Sequence, residues 1–238
     1  MTKYRALLLS AGLGTRLRPL TLSEPKCLMK INNEVLLERW LKILDKDIES
    51  VLINKHYMYK KVEEFLSIQD NFKIKIYQTF EKTLLGTAGT LMRNAEFFNG
   101  YTGLLIHSDN YTDFDLNSLL RRHSERPKEC LLTMLVFETD TPSLCGIVET
   151  DDKGIVRNFH EKVQSPPSNL ANGAVYVFDN DFFTWINQNF KNVNDFSNQI
   201  IPGLMGRIFT CKTDSLFIDI GTLENFNLAQ KLSLKAKY

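Results

Sequence analysis

Apolar positions along the chain follow two alternating rhythms. Short runs rich in β-branched residues at 5–10, 51–54, 73–78 and 103–107 have the pattern of buried strands. Between them, Leu36, Leu37, Trp40, Leu41 and Leu44 share one helical face, and Val62, Phe65 and Leu66 share another. Strand–helix–strand alternation implies crossovers and a mostly parallel sheet covered by helices. Ligands of such open sheets bind beyond the carboxyl ends of the strands. After a helical pattern at Leu116–Ser124 the rhythm changes to strand-like segments at 130–136, 145–150, 155–160 and 174–178. That insertion is of a size to form a lid or floor for a second substrate. Helices at 179–190 and 223–231 then close the chain around a last strand at 216–220.

Composition narrows the function classes. With 238 residues, 43% of them hydrophobic, the chain can bury a sizeable core and is expected to form a single domain. Its formal net charge of +1 gives no general attraction to nucleic acid or to an anionic membrane, so any phosphate affinity must be local. The first apolar run, 6–9, falls far short of the ~20 residues of a membrane span and lacks a cleavage pattern, which leads to an expected cytoplasmic location. Cys27, Cys130, Cys145 and Cys211 show neither zinc nor disulfide spacing and read as reduced thiols, mostly packing. The loop Gln164-Ser165-Pro166-Pro167-Ser168 is too short for a linker, and no internal repeat is visible.

The first strand delivers Leu9 into Ser10-Ala11-Gly12-Leu13-Gly14-Thr15-Arg16, followed by Leu17-Arg18-Pro19-Leu20-Thr21 and by Pro25-Lys26. Glycines let backbone N–H groups approach phosphate oxygens, and Arg16 and Lys26 can neutralise a triphosphate. Two glycines alone are equally a plain structural turn, and the dinucleotide fingerprint needs a third. The added Thr-Arg and Pro-Lys change that balance. With them the segment resembles the sugar-phosphate nucleotidyltransferases, whose signature is Gly-Gly-x-Gly-Thr-Arg-Leu-x-Pro-Leu-Thr followed by Pro-Lys. Later landmarks keep the family order: Leu85-Gly86-Thr87-Ala88-Gly89, Ser108-Asp109-Asn110, Gly146, Glu161-Lys162, Asn172-Gly173-Ala174 and Phe217-Ile218-Asp219-Ile220-Gly221. The nearest subgroup resemblance is to short bacterial guanylyltransferases acting on mannose 1-phosphate or D-glycero-α-D-manno-heptose 1-phosphate. Ala11 stands where most members have Gly, and Cys27 and Val163 where Pro is usual. Ala11 bears on nucleotide choice, since related uridylyl- and cytidylyltransferases carry Ala there.

The resemblance implies a Rossmann-like three-layer α/β/α fold with a smaller sugar-binding β insertion. A nucleotide-binding part would run to about 115, a sugar-binding part over about 116–215, and a closing strand and helix over 216–238. It implies attack of a sugar 1-phosphate oxygen on the α-phosphorus of a nucleoside triphosphate, with pyrophosphate leaving, for which positioning and charge neutralisation outweigh acid–base work. Arg16 then serves the pyrophosphate side and Lys26 the α-phosphate. Leu9, Ala11, Gly12, Gly14, Thr15, Gly86 and Thr87 surround the nucleotide, and Gln78 reads a base edge. Asp109 and Asp219 hold Mg2+; a helix cap is the bland alternative for each. Asn110, Gly146, Glu161, Lys162 and Asn172 take the sugar phosphate, although Asn172-Gly173 alone is a hairpin signal and Glu161-Lys162 alone an exposed charge pair. GTP with a manno-configured sugar is the expected pair, in nucleotide-sugar and cell-surface polysaccharide biosynthesis. Partners are small molecules, without nucleic acid or membrane, and a homodimer is compatible with the pattern. The alternatives are a uridylyl- or cytidylyltransferase, a non-catalytic nucleotide-sugar sensor, an NAD-dependent dehydrogenase and a pure interaction module. The last three sit poorly with the retained cations, the retained carboxylates and the missing third glycine.

Overall fold

The computed structural model describes residues 3–235. Its strands are β1 (Tyr4–Leu9), β2 (Lys30–Ile31), β3 (Glu34–Val35), β4 (Ser50–Lys55), β5 (Lys75–Phe80), β6 (Thr102–His107), β7 (Asn110–Thr112), β8 (Leu132–Glu138), β9 (Gly146–Thr150), β10 (Val156–Glu161), β11 (Leu170–Phe178), β12 (Ile208–Lys212) and β13 (Phe217–Asp219). The helices are α1 (Leu36–Leu44), α2 (Tyr59–Ser67), α3 (Gly86–Arg93), α4 (Leu116–Ser124), α5 (Asn180–Asn189), the single turn α6 (Ile201–Gly203) and α7 (Leu223–Lys235). The expected α/β alternation is therefore present. The end of the closing segment, 236–238, lies outside the described residues.

Two compact units divide the chain. One comprises Ala6–Leu84, His107–Asp113 and the chain from Leu216 onward. Here β4 runs parallel to β5, with Ser50 opposite Lys75 and Lys55 opposite Phe80, and α2 makes the crossover. Every residue of β4 is buried, as a parallel strand covered on both faces requires. Lys55, at its end, is accommodated by the Glu63 carboxylate and by the Gln78 side-chain oxygen, which accepts from its ammonium at 2.8 Å. A second pairing, β7 with β13, sets Asp219 opposite Asn110. It rests on a core of Leu17, Met29, Ile31, Leu36, Tyr111, Ile218, Ile220 and Ala229.

The other unit comprises the chain up to Arg5, Leu85–Ile106 and Phe114–Ser215. Antiparallel pairing runs β10–β9–β11–β6, while β8 pairs with β11 and, in parallel, with β12. Its core is aromatic: Phe178 contacts Phe98, Phe182 and Phe183, and Phe196 contacts Tyr176 and Phe182. Most of the Phe residues occur in apolar periodic contexts that predict packing, and these Phe side chains do pack together. Gly103 is obligatory there, because a Cβ would lie 2.3 Å from the Phe178 ring. The expected strands of the insertion form; β12 and the π-turn at Phe196–Ile200 are additions that the sequence pattern did not show. Asn172-Gly173 lies inside β11 rather than in a hairpin turn.

Candidate active site

The loop after β1 turns on Gly14, whose φ of +62° is left-handed, and leads into a short helical turn at Thr15–Leu17. A Cβ on Gly14 would meet the Thr21 methyl at 2.8 Å, and the Thr21 hydroxyl donates to the Gly14 carbonyl at 2.8 Å. Gly12 differs: a Cβ there would meet nothing within 4 Å. Packing therefore does not demand glycine at that position. Leu9 is half-buried, Ala11 is buried beneath the loop, and Thr15 and Arg16 are exposed.

Two carboxylates meet the cations that follow this loop. The Lys26 ammonium lies 2.5 Å from Asp109 and 3.5 Å from Asp219, whereas 12% of its own side chain is exposed. Both Asp219 oxygens and the Arg16 Nη2 lie within about 3 Å of the point a Gly221 Cβ would occupy, so Arg16 and Asp219 flank this glycine closely. The capping alternatives are taken by other residues. Asp115 caps α4, accepting from the N–H groups of Asn117 and Ser118, and the Thr222 hydroxyl accepts from Asn225 at the start of α7. Asp109 and Asp219 are thus left for other work.

Their electrostatics diverge, as two carboxylates sharing one site must. Burial raises the Asp109 carboxyl, but the Lys26 charge, helped by His107, outweighs it and holds the group at about 2. Asp219 is pushed up, first by burial and then by the negative charge of Asp109, with Lys26 and Arg16 offsetting only part. Burial lowers Lys26, yet the two carboxylates together raise it above its ordinary value, so it stays charged. Asp219 Oδ1 is buried without a hydrogen bond, with the Lys26 ammonium 3.5 Å away, which suits an oxygen that could also meet a hard cation. Among the described residues no group of three or more His, Cys, Asp or Glu could hold a metal by itself. Any ion here must draw further oxygens from substrate or water.

Beneath the loop lies a polar network that sequence reasoning missed. The Ser10 N–H donates to Asn54 at 2.7 Å, the Ser10 and Ser108 hydroxyls lie 2.9 Å apart, and the Asn54 amide donates to Glu81 at 2.9 Å. It ties the start of the loop to the residue before Asp109. A polar residue at the carboxyl end of each strand was its only sequence signal. Asn110 sits in this same unit, buried, with its amide turned back to the His107 carbonyl at 3.3 Å.

In the other unit the remaining candidates form two groups. Gly86, with φ +75°, opens α3, and a Cβ there would lie 2.2 Å from the Asn194 carbonyl. Thr87 accepts the Phe196 N–H at 2.8 Å. Gly146 stands opposite Glu161 in the β9–β10 pairing, and a Cβ on it would fall 2.7 Å from the Glu161 carboxylate. Lys162, left-handed at φ +51°, sends its ammonium to within 3.2 Å of Glu161, and 53% of its side chain is exposed. Asn172 completes the group, because its neighbour Ala171 pairs with Ile147 beside Gly146. All four cysteines are free, and burial pushes the Cys27 thiol up to about 12, which makes it unreactive.

Known proteins resemble this chain over most of its length. The mannose-1-phosphate guanylyltransferase catalytic subunit beta of Drosophila pseudoobscura pseudoobscura is 34% identical over 179 residues, 74% of this chain and 48% of that protein. Its counterpart in Xenopus tropicalis is 31% identical over 229 residues, 93% of this chain and 62% of that protein. The chain thus spans about half to three fifths of the length of these curated relatives. The crystal structure of HddC from Yersinia pseudotuberculosis complexed with GMP-PN has the same fold, with a TM-score of 0.79 at 21% identity, covering 97% of this chain and 99% of that one. A family model described as nucleotidyl transferase matches residues 5–235, and the chain belongs to that family.

Proposed function

We propose that this chain transfers a nucleoside monophosphate from a nucleoside triphosphate to a sugar 1-phosphate, with GTP and a manno-configured hexose or heptose as the preferred pair. The observation that carries the reading is the Lys26–Asp109–Asp219 constellation beside the glycine loop. The reaction forms a bond between a sugar-phosphate oxygen and the α-phosphorus and breaks the bond to pyrophosphate. Both reactants are anionic, so the barrier falls mainly through alignment and charge neutralisation. Arg16 holds the departing pyrophosphate, and Lys26, kept protonated by its carboxylates, faces the α-phosphoryl group. Asp109 and Asp219 would hold Mg2+, which would supply positive charge to the phosphate oxygens; two carboxylates would suffice because Mg2+ commonly keeps phosphate and water ligands. Gly86 and Thr87 serve the nucleotide, with Gln78 toward the base. Gly146, Glu161, Lys162, Asn172 and Asn110 serve the sugar phosphate.

The names of the guanylyltransferase relatives support the choice of GTP and mannose. The proposal extends to a cytoplasmic enzyme of small-molecule substrates, free or as a homodimer; no described helix is long and apolar enough to cross a membrane. The deciding experiment is a matrix of the nucleoside triphosphates against mannose, glucose, heptose and amino-sugar 1-phosphates, with pyrophosphate release measured. GTP with a manno-configured sugar should turn over fastest. A tenfold advantage of UTP or CTP would replace the base assignment, and no release from any pair would overturn the reading.

A further inference from the structure

We propose that Tyr176 is a positioning residue whose buried hydroxyl fixes the side-chain amide of Asn172 in the orientation that reads the sugar phosphate. The inference rests on the assignment of Asn172 to the sugar. Tyr176 is fully buried, and a buried hydroxyl is costly unless its hydrogen bonds are made. Here two partners meet it: the Asn172 amide nitrogen donates to the phenol oxygen at 2.8 Å, and the Ser197 hydroxyl is its second hydrogen-bonding neighbour. Burial pushes the phenol above its ordinary value against both hydrogen bonds, so it remains a neutral hydroxyl able to accept from one partner while donating to the other.

This contact is not a by-product of strand geometry. In a regular strand, residues four apart lie on the order of 13 Å from each other. The β8–β11 pairing breaks register between Asn172 and Tyr176, and Ala174 between them is left-handed at φ +52°, which an L-residue adopts only at a cost. The Ala174 N–H donates to Asn172 Oδ1 at 2.9 Å. Both ends of the amide are therefore specified, since flipping it would set Nδ2 against an N–H donor. One N–H and one oxygen lone pair stay open to a ligand, a donor and an acceptor side by side, which suits adjacent sugar hydroxyls.

The clamp is itself anchored. The Tyr176 ring packs on Phe196 with centroids 4.5 Å apart, and the Phe196 N–H is held by Thr87 at 2.8 Å. The Asn194 carbonyl takes the Ala88 N–H at 3.0 Å. Segment 194–197 thus braces Tyr176 from the start of α3.

Tyr176→Phe keeps the ring and removes only the hydroxyl. In the pyrophosphate-release assay with GTP and the sugar 1-phosphate that the wild type turns over fastest, the variant should raise the KM for the sugar phosphate by about 2- to 10-fold, the worth of one hydrogen bond, and leave the KM for GTP unchanged. Asn172→Ala should raise the same KM further, and adding Tyr176→Phe to it should change nothing more, because Tyr176 acts through Asn172. An unchanged sugar-phosphate KM in Tyr176→Phe, or an equal factor in both backgrounds, overturns the inference while leaving Asn172 at the sugar. No effect of Asn172→Ala removes that assignment and the inference with it. Should Tyr176→Phe fail to fold, Ser197→Ala loosens the phenol from its other side, and the same KM must rise.

Discussion

At the residue scale, the site is a problem of charge placed with little room. Asp109 and Asp219 compete for Lys26, and burial together with the charge of Asp109 raises Asp219, a repulsion that a bound cation would relieve. Asparagine at either position keeps the size and removes the anionic ligand. Asp109→Asn and Asp219→Asn should each fold and lose on the order of 100-fold in kcat/KM. Both should need more Mg2+ for what activity remains, and the double variant should lose little beyond either single one, since residues sharing one ion do not act independently. Near-wild-type turnover of a single variant at limiting Mg2+ would remove that residue from the metal site. The cations separate in a different way. Arg16 flanks Asp219, whereas Lys162 lies against Glu161. Arg16→Ala should therefore weaken triphosphate binding and Lys162→Ala sugar-phosphate binding. Calorimetry showing equal loss of sugar-phosphate affinity in both would refute that division.

At the scale of elements, two glycines of similar appearance have opposite structural meanings. Gly86 is pinned by a positive φ and by the Asn194 carbonyl, while Gly12 faces open space. Gly86→Ala should cost about 2 kcal/mol or more through backbone strain and overpacking, visible as a lower melting temperature. Gly12→Ala should leave the melting temperature unchanged and raise the KM for the nucleoside triphosphate. An equal melting shift in the two would mean that the loop, too, is fixed by packing. The contrast also shows what the sequence could and could not disclose. Strands β4, β6 and β13 and helix α4 were legible because their own apolar period defines them. Strand β12 was not, since its five residues acquire meaning only by pairing with β8, 76 residues earlier. The Asn172-Gly173 pair carries hairpin chemistry, but strand pairing overrode it and turned it into a bulge. Arg16, Lys26, Asp109 and Asp219 were readable from motif and chemistry together. The Ser10–Asn54–Ser108 network and the Tyr176 hydroxyl were not, for each depends on a contact between residues unrelated in local pattern.

At the scale of the whole molecule, stability in acid should depend strongly on Asp179, which joins several elements within the unit formed by the chain up to Arg5, Leu85–Ile106 and Phe114–Ser215. Its carboxylate accepts from the Thr102 hydroxyl at 2.5 Å and from Arg126 at 2.5 Å, with His123 Nε2 3.5 Å away. The neighbouring His123 first, against burial, and then the Thr102 hydrogen bond and the surrounding charges hold this carboxyl well below its usual range. His123 is itself buried, and burial lowers it despite Asp179, so its imidazole stays neutral where a free one would charge. Both groups are depressed in the folded state, and both therefore contribute stability at neutral pH that is lost on acidification. For His123 the loss begins as pH falls through about 6.5, where the unfolded chain takes up a proton that the folded one refuses. For Asp179 the contribution is complete above about pH 4 and disappears as pH falls toward its folded value. The melting temperature should thus be level from pH 8 to 7, decline gently toward 5 and drop steeply below 4. Asp179→Asn should cost about 1 kcal/mol at pH 7, a modest figure because 38% of the side chain meets solvent. It should also flatten the steep limb below pH 4, where the lost carboxylate no longer titrates. Melting curves of the two proteins that stay parallel down to pH 3 would place the acid sensitivity elsewhere in the molecule.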